Sequence, residues 1–344
     1  MGAPPPFSPL PREIVLGIAI ILWVLFSATP WAFSSSLQRL YVANEGSDSI
    51  SVIDLTNLGT VAEVPTGSRP HYVNVDPLGR YFYVTVLFTK ESDDLVQVFD
   101  VKTNALLTSV VTGHQPAHVV PDHTGERLYV SNEAASTLSV ISVPEFKVVE
   151  TVKLKGRGPH GLVITPDGRF VLTPNSRSGD VSVVDLARHQ VDRIQLPSGA
   201  KPMAMGITSD GKFAYVTDVG LNQVHKIDVA QKAVLASLAV GKRPMQAPVH
   251  PTRPFLYIPC MESAAVYKVD LDHWRVEKVI PVGQGPHGIA YRADGRYAYV
   301  TLSGEKPKGR VAVIDTETDT VQTTFPVDDA PYGIAVLFGK NQGW

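Results

Sequence analysis

The chain has 344 residues, of which 44% are hydrophobic, and its formal net charge is −2. This composition supplies enough apolar side chains for a large buried core, while the near-zero net charge gives no overall field that would attract nucleic acid or an anionic membrane. The one cysteine, Cys260, excludes a disulfide bond within the chain.

Residues 1–34 differ in composition from the rest of the chain and are predicted to form a secretory signal peptide. Arg12 precedes a 13-residue apolar run, residues 14–26, and small residues follow it. A cationic start, a short apolar core and a small-residue cleavage site are typical of such signals. We therefore expect cleavage near Ser35 and a periplasmic or otherwise exported protein. An uncleaved membrane anchor is the alternative, although the run is shorter than the roughly 20 residues of a spanning helix.

A proline recurs through the rest of the chain at intervals of 42 to 46 residues, and two short apolar runs follow most copies. The first run is of the kind seen at Leu128–Asn132, and the second is of the kind seen at Val181–Asp185. A period in the forties with several strands per unit is the signature of a propeller blade. The recurring prolines are Pro70, Pro116, Pro159, Pro202, Pro244, Pro286 and Pro331.

The unit that begins at Pro159 shows the expected order of strands within one blade. The pattern predicts a first strand at residues 161–165 and a second at residues 170–175, joined by an Asp-Gly hairpin turn. Alternating apolar and polar residues predict a third strand at residues 181–186, and a fourth is predicted at residues 191–196. Each blade is therefore expected to be a four-stranded antiparallel sheet.

The two ends of the repeat are out of phase with the blade. Residues 40–44 have the pattern of a second strand, whereas residues 332–337 have the pattern of a first strand. The C-terminal strand is therefore expected to join the N-terminal blade, which closes the ring and removes its free edges. The sequence predicts an all-β, seven-bladed β-propeller over residues 38–339, followed by a short tail at residues 340–344.

The units resemble YVTN-type propeller repeats, in which a G-x-x-P-x-G segment is followed by a P-D-G turn, a Y-V-T-N strand and a V-x-V-I-D strand. The terminal asparagine of the pattern is present at Asn44, Asn132 and Asn175, and the resemblance covers about residues 38–339. It implies the propeller fold but not one function, because such propellers serve many tasks. It also implies kinship with the haem-d1-binding propeller of cytochrome cd1-type nitrite reductases and its biogenesis relatives.

The residues that follow the recurring prolines are expected to surround one mouth of the central channel, because the loops that enter the first strands share one face of a propeller. Four of the ten histidines fall in the first two positions after a proline. Sites where several elements converge are where ligands usually bind. His123 and His250, by contrast, are assigned to surface turns on the opposite face. The predicted ring contains His71, His118, His160, Met203, Met245, His287 and Tyr332.

One sector of this face carries soft ligand atoms. Thioether and thiolate groups favour Cu(I), and imidazole also suits copper. A copper site is therefore one hypothesis, and the alternative is that these side chains only pack the channel mouth. The candidate metal ligands are Met245, Cys260, Met261 and His287.

The resemblance to haem-d1 propellers implies a second kind of site. In that interpretation a histidine of the ring would ligate iron, and a nearby cation would meet the haem carboxylates. Covalent c-type attachment is excluded because the chain has no C-x-x-C-H motif. The candidate cofactor residues are His71, His118, His160, His287, Arg177 and Tyr332, with Lys306 as a second cation.

The sequence carries none of the common short catalytic motifs. It has no H-E-x-x-H motif, no G-x-S-x-G nucleophile elbow and no phosphate-binding loop. This favours an exported module that binds a small ligand or a protein partner at its channel-mouth face, rather than an enzyme. Two alternatives stay open: a haem-d1-related redox or cofactor-handling protein, and a periplasmic copper-binding protein. A membrane partner is expected only if the N-terminal segment is retained.

Overall fold

The chain divides into an N-terminal unit, Met1–Ser36, and a main unit, Leu37–Trp344. The predicted tail and nearly all of the predicted signal peptide lie outside the described residues, so both stay predictions. Within the described ranges, no helix is long and apolar enough to cross a membrane. The computed structural model describes residues 1–3, 37–87, 94–305 and 308–338.

Within these ranges the strands of the main unit form seven antiparallel sheets, here numbered as blades 1 to 7. Blades 1 to 3 contain β1 (Arg39–Asn44), β2 (Ser49–Asp54), β3 (Gly59–Pro65); β4 (Pro70–Val75), β5 (Tyr81–Val86), β6 (Leu95–Asp100), β7 (Leu106–Val111); and β8 (Pro116–Pro121), β9 (Arg127–Asn132), β10 (Thr137–Ser142), β11 (Lys147–Lys153). Blades 4 and 5 contain β12 (Val163–Ile164), β13 (Phe170–Asn175), β14 (Asp180–Asp185), β15 (Gln190–Gln195); and β16 (Pro202–Ile207), β17 (Phe213–Asp218), β18 (Gln223–Asp228), β19 (Ala233–Ala239). Blades 6 and 7 contain β20 (Phe255–Cys260), a 3-10 helix (Met261–Ser263), β21 (Ala265–Asp270), β22 (Arg275–Pro281); and β23 (Pro286–Tyr291), β24 (Tyr297–Leu302), β25 (Arg310–Asp315), β26 (Thr320–Pro326), while β27 (Pro331–Val336) joins blade 1.

The first strands form the inner ring of the propeller. First strands of neighbouring blades contact one another, and all six residues of β8 are buried. The fourth strands face outward, since β11 consists of exposed and half-buried residues. The side chains at the start of each first strand therefore lie closest to the central channel.

Apolar clusters join the faces of neighbouring blades. Phe82 and Phe99 of blade 2 stack with their ring centroids 4.7 Å apart, and Tyr41 of blade 1 lies 4.6 Å from Phe82. Burying a side chain of this size contributes about 2–3 kcal/mol relative to leaving it exposed. The alternating apolar residues of the second and third strands thus supply the contacts that hold the blades in a ring.

The C-terminal strand closes the ring, as the sequence predicts. β27 pairs with β1 in antiparallel register, with Leu40 opposite Val336 and Tyr41 opposite Ala335. Blade 1 consequently contains strands from both ends of the propeller, in the order β27, β1, β2 and β3. The predicted seven-bladed, all-β architecture is confirmed.

Two inner strands are less regular than the repeat pattern indicates. The inner strand of blade 4, predicted over residues 161–165, is reduced to Val163–Ile164. In blade 6 the inner position is taken by residues 244–249, which attach to β20 only through the isolated bridges of Pro244 with Cys260 and of Val249 with Leu256. Proline has no N–H for the ladder, and residues 244–249 contain two prolines.

Candidate functional site

A break in the strand pairing follows the proline at the start of several inner strands. In blade 2 the register shifts directly after Pro70 and leaves His71 outside the paired positions. In blade 3 it shifts after Pro116 and leaves His118 outside them. The same break follows the prolines of blades 5 and 7. Because a bulge bends its strand and re-aims the side chain, the residues after these prolines can meet across blades.

A hydroxyl group on the second strand holds each break in place. Ser131 Oγ accepts the backbone N–H of His118 at 3.1 Å and donates a hydrogen bond to the carbonyl oxygen of His160 in the next blade. The threonine or serine of the Y-V-T-N strand thus fixes the residues after the prolines of two neighbouring blades relative to each other. The equivalent hydroxyls are those of Thr85, Thr217 and Thr301.

Three histidines from consecutive blades converge at the start of the inner strands. The ring centroids of His71 and His160 are 5.4 Å apart, and those of His118 and His160 are 5.1 Å apart. One ring nitrogen from each of the three lies within 4.8 Å of those from the other two. We call His71, His118 and His160 the histidine cluster. The structure therefore brings three of the predicted ring residues together.

Two further ring residues adjoin the histidine cluster. The centroids of His287 and Tyr332 are 4.4 Å apart, and the Tyr332 ring lies 6.1 Å from that of His71. These two side chains continue the line of ring contacts from blade 2 through blade 1 to blade 7. The five predicted aromatic residues of the ring thus form one connected group.

Burial keeps the imidazoles of His118, His160 and His287 neutral. Desolvation lowers the pKa of His118 well below the ordinary value of 6.5, and the neighbouring imidazoles lower it further. The pKa values of His160 and His287 fall to about 3, first through desolvation and then through repulsion by nearby imidazoles, His71 in particular. A neutral imidazole has a free lone pair, so these side chains are in the form that accepts hydrogen bonds or binds metals.

Each of these three imidazoles also has a buried nitrogen without a hydrogen-bond partner. The Nδ1 atoms of His118, His160 and His287 are unpaired, although the residues are only 3%, 8% and 9% exposed. An unsatisfied buried polar atom costs about 1–3 kcal/mol, and folded proteins contain few of them. These three nitrogens therefore lack the hydrogen-bond partner that a buried polar atom normally has.

Glu45, in the loop after β1, contacts the cluster from the neighbouring blade. Its Oε2 lies 3.0 Å from Nδ1 of His71, and its other oxygen forms an ion pair with Arg69. Burial opposes ionisation of Glu45, but the bonds with His71 and Arg69 outweigh it and lower the pKa of the carboxyl below its ordinary value. An ionised carboxylate can only accept a hydrogen bond, so Nδ1 of His71 is the donor, and in the neutral ring Nε2 then carries the lone pair.

The candidate copper ligands have less favourable surroundings. Cys260 is completely buried in an apolar cluster, its Sγ donates to the carbonyl oxygen of Ile258 at 3.5 Å, and desolvation raises the pKa of its thiol to about 12. A thiol that stays protonated is a poor metal ligand. Met245 is buried, and Met261 is half-buried in the 3-10 helix. The copper site stays a prediction, and the protonated thiol of Cys260 disfavours it.

Arg177, the candidate cation for a cofactor carboxylate, already has an acidic partner. Its Nη2 lies 3.0 Å from Oε1 of Glu133, and half of its side chain is exposed. Arg177 lines a surface groove of about 710 Å³ together with Lys201 and Met203. A ligand carboxylate would therefore compete with Glu133 for this guanidinium. Lys306 lies outside the described residues.

The surface assignment of His250 is wrong. Its side chain is only 4% exposed, its Nε2 lies 2.9 Å from the carbonyl oxygen of Gly295, and desolvation lowers its pKa to about 4. The ring packs against Phe255 and Tyr291, at centroid distances of 4.4 and 5.1 Å. Two of these contacts come from the next blade, which the pattern of one repeat does not reveal.

These features define a seven-bladed β-propeller built from YVTN-type repeats. A family model described as the YNCE-like β-propeller matches residues 83–254, which is half of the chain. The protein therefore belongs to the YNCE-like β-propeller family.

Similarity to a curated protein is local. Antigen Lp49 of Leptospira interrogans serogroup Icterohaemorrhagiae serovar copenhageni, strain Fiocruz L1-130, is 34% identical over 92 residues, which is 24% of this chain and 20% of the antigen. The match thus spans about a fifth of the length of that relative.

Similarity to solved structures extends over most of the chain. The Kuenenia stuttgartiensis hydrazine synthase structure has a TM-score of 0.68 at 19% identity, covering 79% of this chain and 92% of that chain. The dihydro-haem d1 dehydrogenase NirN in complex with DHE has a TM-score of 0.63 at 14% identity, covering 87% and 75%. At these identities the similarity shows a shared fold alone.

Proposed function

We propose that this chain is an exported propeller that binds a ligand at its channel mouth, with the histidine cluster as the main contact. The observation that carries the proposal is the convergence of three imidazoles from three blades, with nitrogens within 4.8 Å of one another. Two of the three side chains are buried and have an unpaired Nδ1. Side chains that only pack would gain nothing from unpaired nitrogens at this position.

The surroundings of the cluster support binding because they fix it in advance. The ring of Tyr72 stacks on that of His118 at 3.8 Å with an angle of 17° between the planes. Ser131 links the backbone of His118 to that of His160. Side chains already held in position lose less conformational entropy when a ligand binds.

Mass measurement tests the binding proposal without knowledge of the ligand. The mass of the protein purified from its own host is measured by mass spectrometry under native and under denaturing conditions. We expect an excess native mass that disappears on denaturation and is absent from the His118→Ala variant. His189→Ala is the control, because His189 is 70% exposed and pairs with Glu150. Equal native and denatured masses in the wild-type protein would contradict the proposal.

Export forms a separate part of the proposal and rests on the N-terminal sequence alone. Residues 14–26 supply the apolar core of a secretory signal, and the small residues before Ser35 supply a cleavage site. The mass of the mature protein tests both points, since removal of residues 1–34 gives a chain that begins at Ser35. Full-length protein recovered with the membrane fraction would indicate an anchor, and full-length protein in the cytoplasm would refute export.

A haem-d1-type cofactor is a second candidate for the same site, favoured by the buried neutral imidazoles that haem iron accepts as axial ligands. The absorption spectrum distinguishes it. A haem protein shows a Soret band that is lost on His118→Ala or His160→Ala. A colourless sample that also fails to take up haem in titration would eliminate this candidate while leaving other ligands in place.

A further inference from the structure

The donor atoms at the channel mouth indicate what kind of ligand the site takes. We propose that His71, His118 and His160 together hold one divalent first-row transition-metal ion of the zinc or copper type, and that Glu45 orients His71 for this role. The inference rests on the proposed function, because it names the occupant of the same site. It assigns the metal to three imidazoles rather than to the sulfur-containing set suggested by the sequence.

The spacing of the three nitrogens suits a single ion. Ligand nitrogens about 2.0–2.1 Å from a tetrahedral zinc ion are about 3.3 Å apart, and the three nitrogens of the cluster already lie within 4.8 Å of one another. Closing the difference needs shifts of about an ångström or less in each ring, which small rotations of the histidine side chains provide.

The chemistry of the donors selects the class of ion. Neutral imidazole suits zinc, copper, iron and nickel, whereas calcium and magnesium prefer carboxylate and carbonyl oxygens. The three atoms within 4.8 Å of one another are ring nitrogens, one from each of the three histidines. Three protein ligands are also the number found in zinc sites that keep a fourth position for water or another small ligand.

The unpaired nitrogens are a second observation that points to a ligand. His118 and His160 are 3% and 8% exposed, and both have an Nδ1 without a hydrogen-bond partner. Packing accounts for the burial of these rings, as in the stack of Tyr72 on His118. It does not account for leaving one nitrogen unpaired on each of two buried imidazoles from neighbouring blades. A metal ion bound through these nitrogens would supply the missing partner.

Glu45 completes the arrangement from outside the ligand set. Its Oε2 lies 3.0 Å from Nδ1 of His71, and Arg69 holds the other carboxylate oxygen. Metal-binding histidines almost always donate their second nitrogen to a carboxylate, carbonyl or water, which fixes the tautomer and the ring orientation. His71, which is the most exposed of the three at 15%, is the one that has this support.

Metal titration of the purified chain tests the inference. The protein is stripped with a chelator and titrated with Zn²⁺, and separately with Cu²⁺, against a chromophoric competitor. We expect one ion per chain. His118→Ala and His160→Ala should each weaken binding by more than the roughly 10- to 100-fold that follows loss of an outer partner of a ligand. The control His189→Ala should bind as the wild type does.

Folding is checked by circular dichroism before each titration. If an alanine variant does not fold, His118→Gln and His160→Gln replace it, since glutamine keeps a polar group in the buried position. The wild-type titration does not depend on any variant. A wild-type chain that takes up neither ion at one per chain overturns the inference, and so does uptake that persists unchanged in both histidine variants.

Comparison with the native mass separates this inference from the proposed function. If the stripped chain binds no metal but the host-purified chain carries an organic ligand that is lost in His118→Ala, the metal assignment is wrong and the proposed function stands. If neither metal nor other ligand is found, both are wrong.

Discussion

The carboxylate of Glu45 contacts the imidazole of His71 across the boundary between blades 1 and 2, with Oε2 3.0 Å from Nδ1. The two residues belong to different blades and are 26 positions apart, so the contact requires blades 1 and 2 to pack together. The same carboxylate is held by Arg69. This pair links the fold of the propeller to the orientation of one proposed metal ligand.

Replacing Glu45 should weaken metal binding without removing it. Glu45→Gln keeps the shape of the side chain but removes the charge that fixes the tautomer of His71, so affinity for Zn²⁺ should fall roughly 10- to 100-fold. Glu150→Gln is the matched control, because Glu150 forms a similar pair with the exposed His189. Competition titration measures both. Equal affinity in Glu45→Gln and the wild type would show that Glu45 does not position the ligand.

The hydroxyl of Ser131 should contribute to binding as well as to stability. Ser131→Ala leaves the N–H of His118 without its acceptor, which costs about 1–3 kcal/mol. Thr217→Val removes an equivalent hydroxyl from blade 5, which bonds the backbone of Ala204 and of Met245 rather than that of a cluster histidine. Urea unfolding should show that both variants are destabilised, whereas only Ser131→Ala should lose Zn²⁺ affinity. A parallel loss of affinity in both variants would mean that the effect is general loosening of the ring.

The sequence was sufficient to predict the architecture, because the signals for the fold are local and repeated. The proline period, the paired apolar runs and the phase difference between the chain ends predict seven blades and the pairing of β27 with β1, which the structure has. The same reasoning placed the histidines that follow Pro70, Pro116 and Pro159 on one face. It could not predict that their rings meet, because that depends on bulges and on distances between blades.

The buried side-chain hydrogen bonds between strands of one blade could not be predicted from the sequence either. In blade 3, Asn132 bonds Ser139 on the next strand. In blade 5 the equivalent link runs from Asp218 to His225 and on to Ser237, with distances of 3.0 and 2.8 Å. His225 is completely buried, although a lone histidine in a third strand reads equally well as a solvated residue. Blade 5 has Asp218 where blade 3 has Asn132, and His225 where blade 3 has Ser139. Because both members of the pair differ, the sequence does not show that the two links are equivalent.

The stability of the metal-free protein should fall as the pH drops below about 6.5. His160 and His287 have folded pKa values of about 3, well below the ordinary 6.5, so between these values the unfolded chain binds protons that the folded chain does not. Each such imidazole removes on the order of 1–2 kcal/mol by pH 5. Urea unfolding at pH 7.5, 6 and 5 measures the loss. His160→Gln should lose less than the wild type, and identical losses in the two would contradict the assignment.

The closure of the ring should be sensitive to the core of β27. Ile334 is 2% exposed and packs in the cluster that joins blades 7 and 1, so Ile334→Ala should cost about 2–5 kcal/mol. Val149→Ala is the control, because Val149 is 58% exposed on the outer strand of blade 3 and should change stability by about 0.5 kcal/mol or less. Chemical denaturation gives both values, and a similar effect of the two substitutions would argue against closure by β27.

Cys260 should be unreactive in the folded protein. Its thiol is completely buried, and desolvation raises its pKa to about 12, so almost no thiolate is present at neutral pH. A chromogenic disulfide reagent should label it only after denaturation, and Cys260→Ala should bind copper as the wild type does. Rapid labelling of the native protein, or loss of copper in this variant, would restore the sulfur-containing site as the better explanation.

X-ray absorption at the zinc edge tests the central claim most directly. The chain loaded with one equivalent of zinc should show nitrogen neighbours at about 2.0–2.1 Å with the multiple scattering of three imidazoles, and this count should fall to two in His118→Ala. A sulfur neighbour at about 2.3 Å, or a zinc ion surrounded by oxygen without imidazole scattering, would contradict the assignment to His71, His118 and His160.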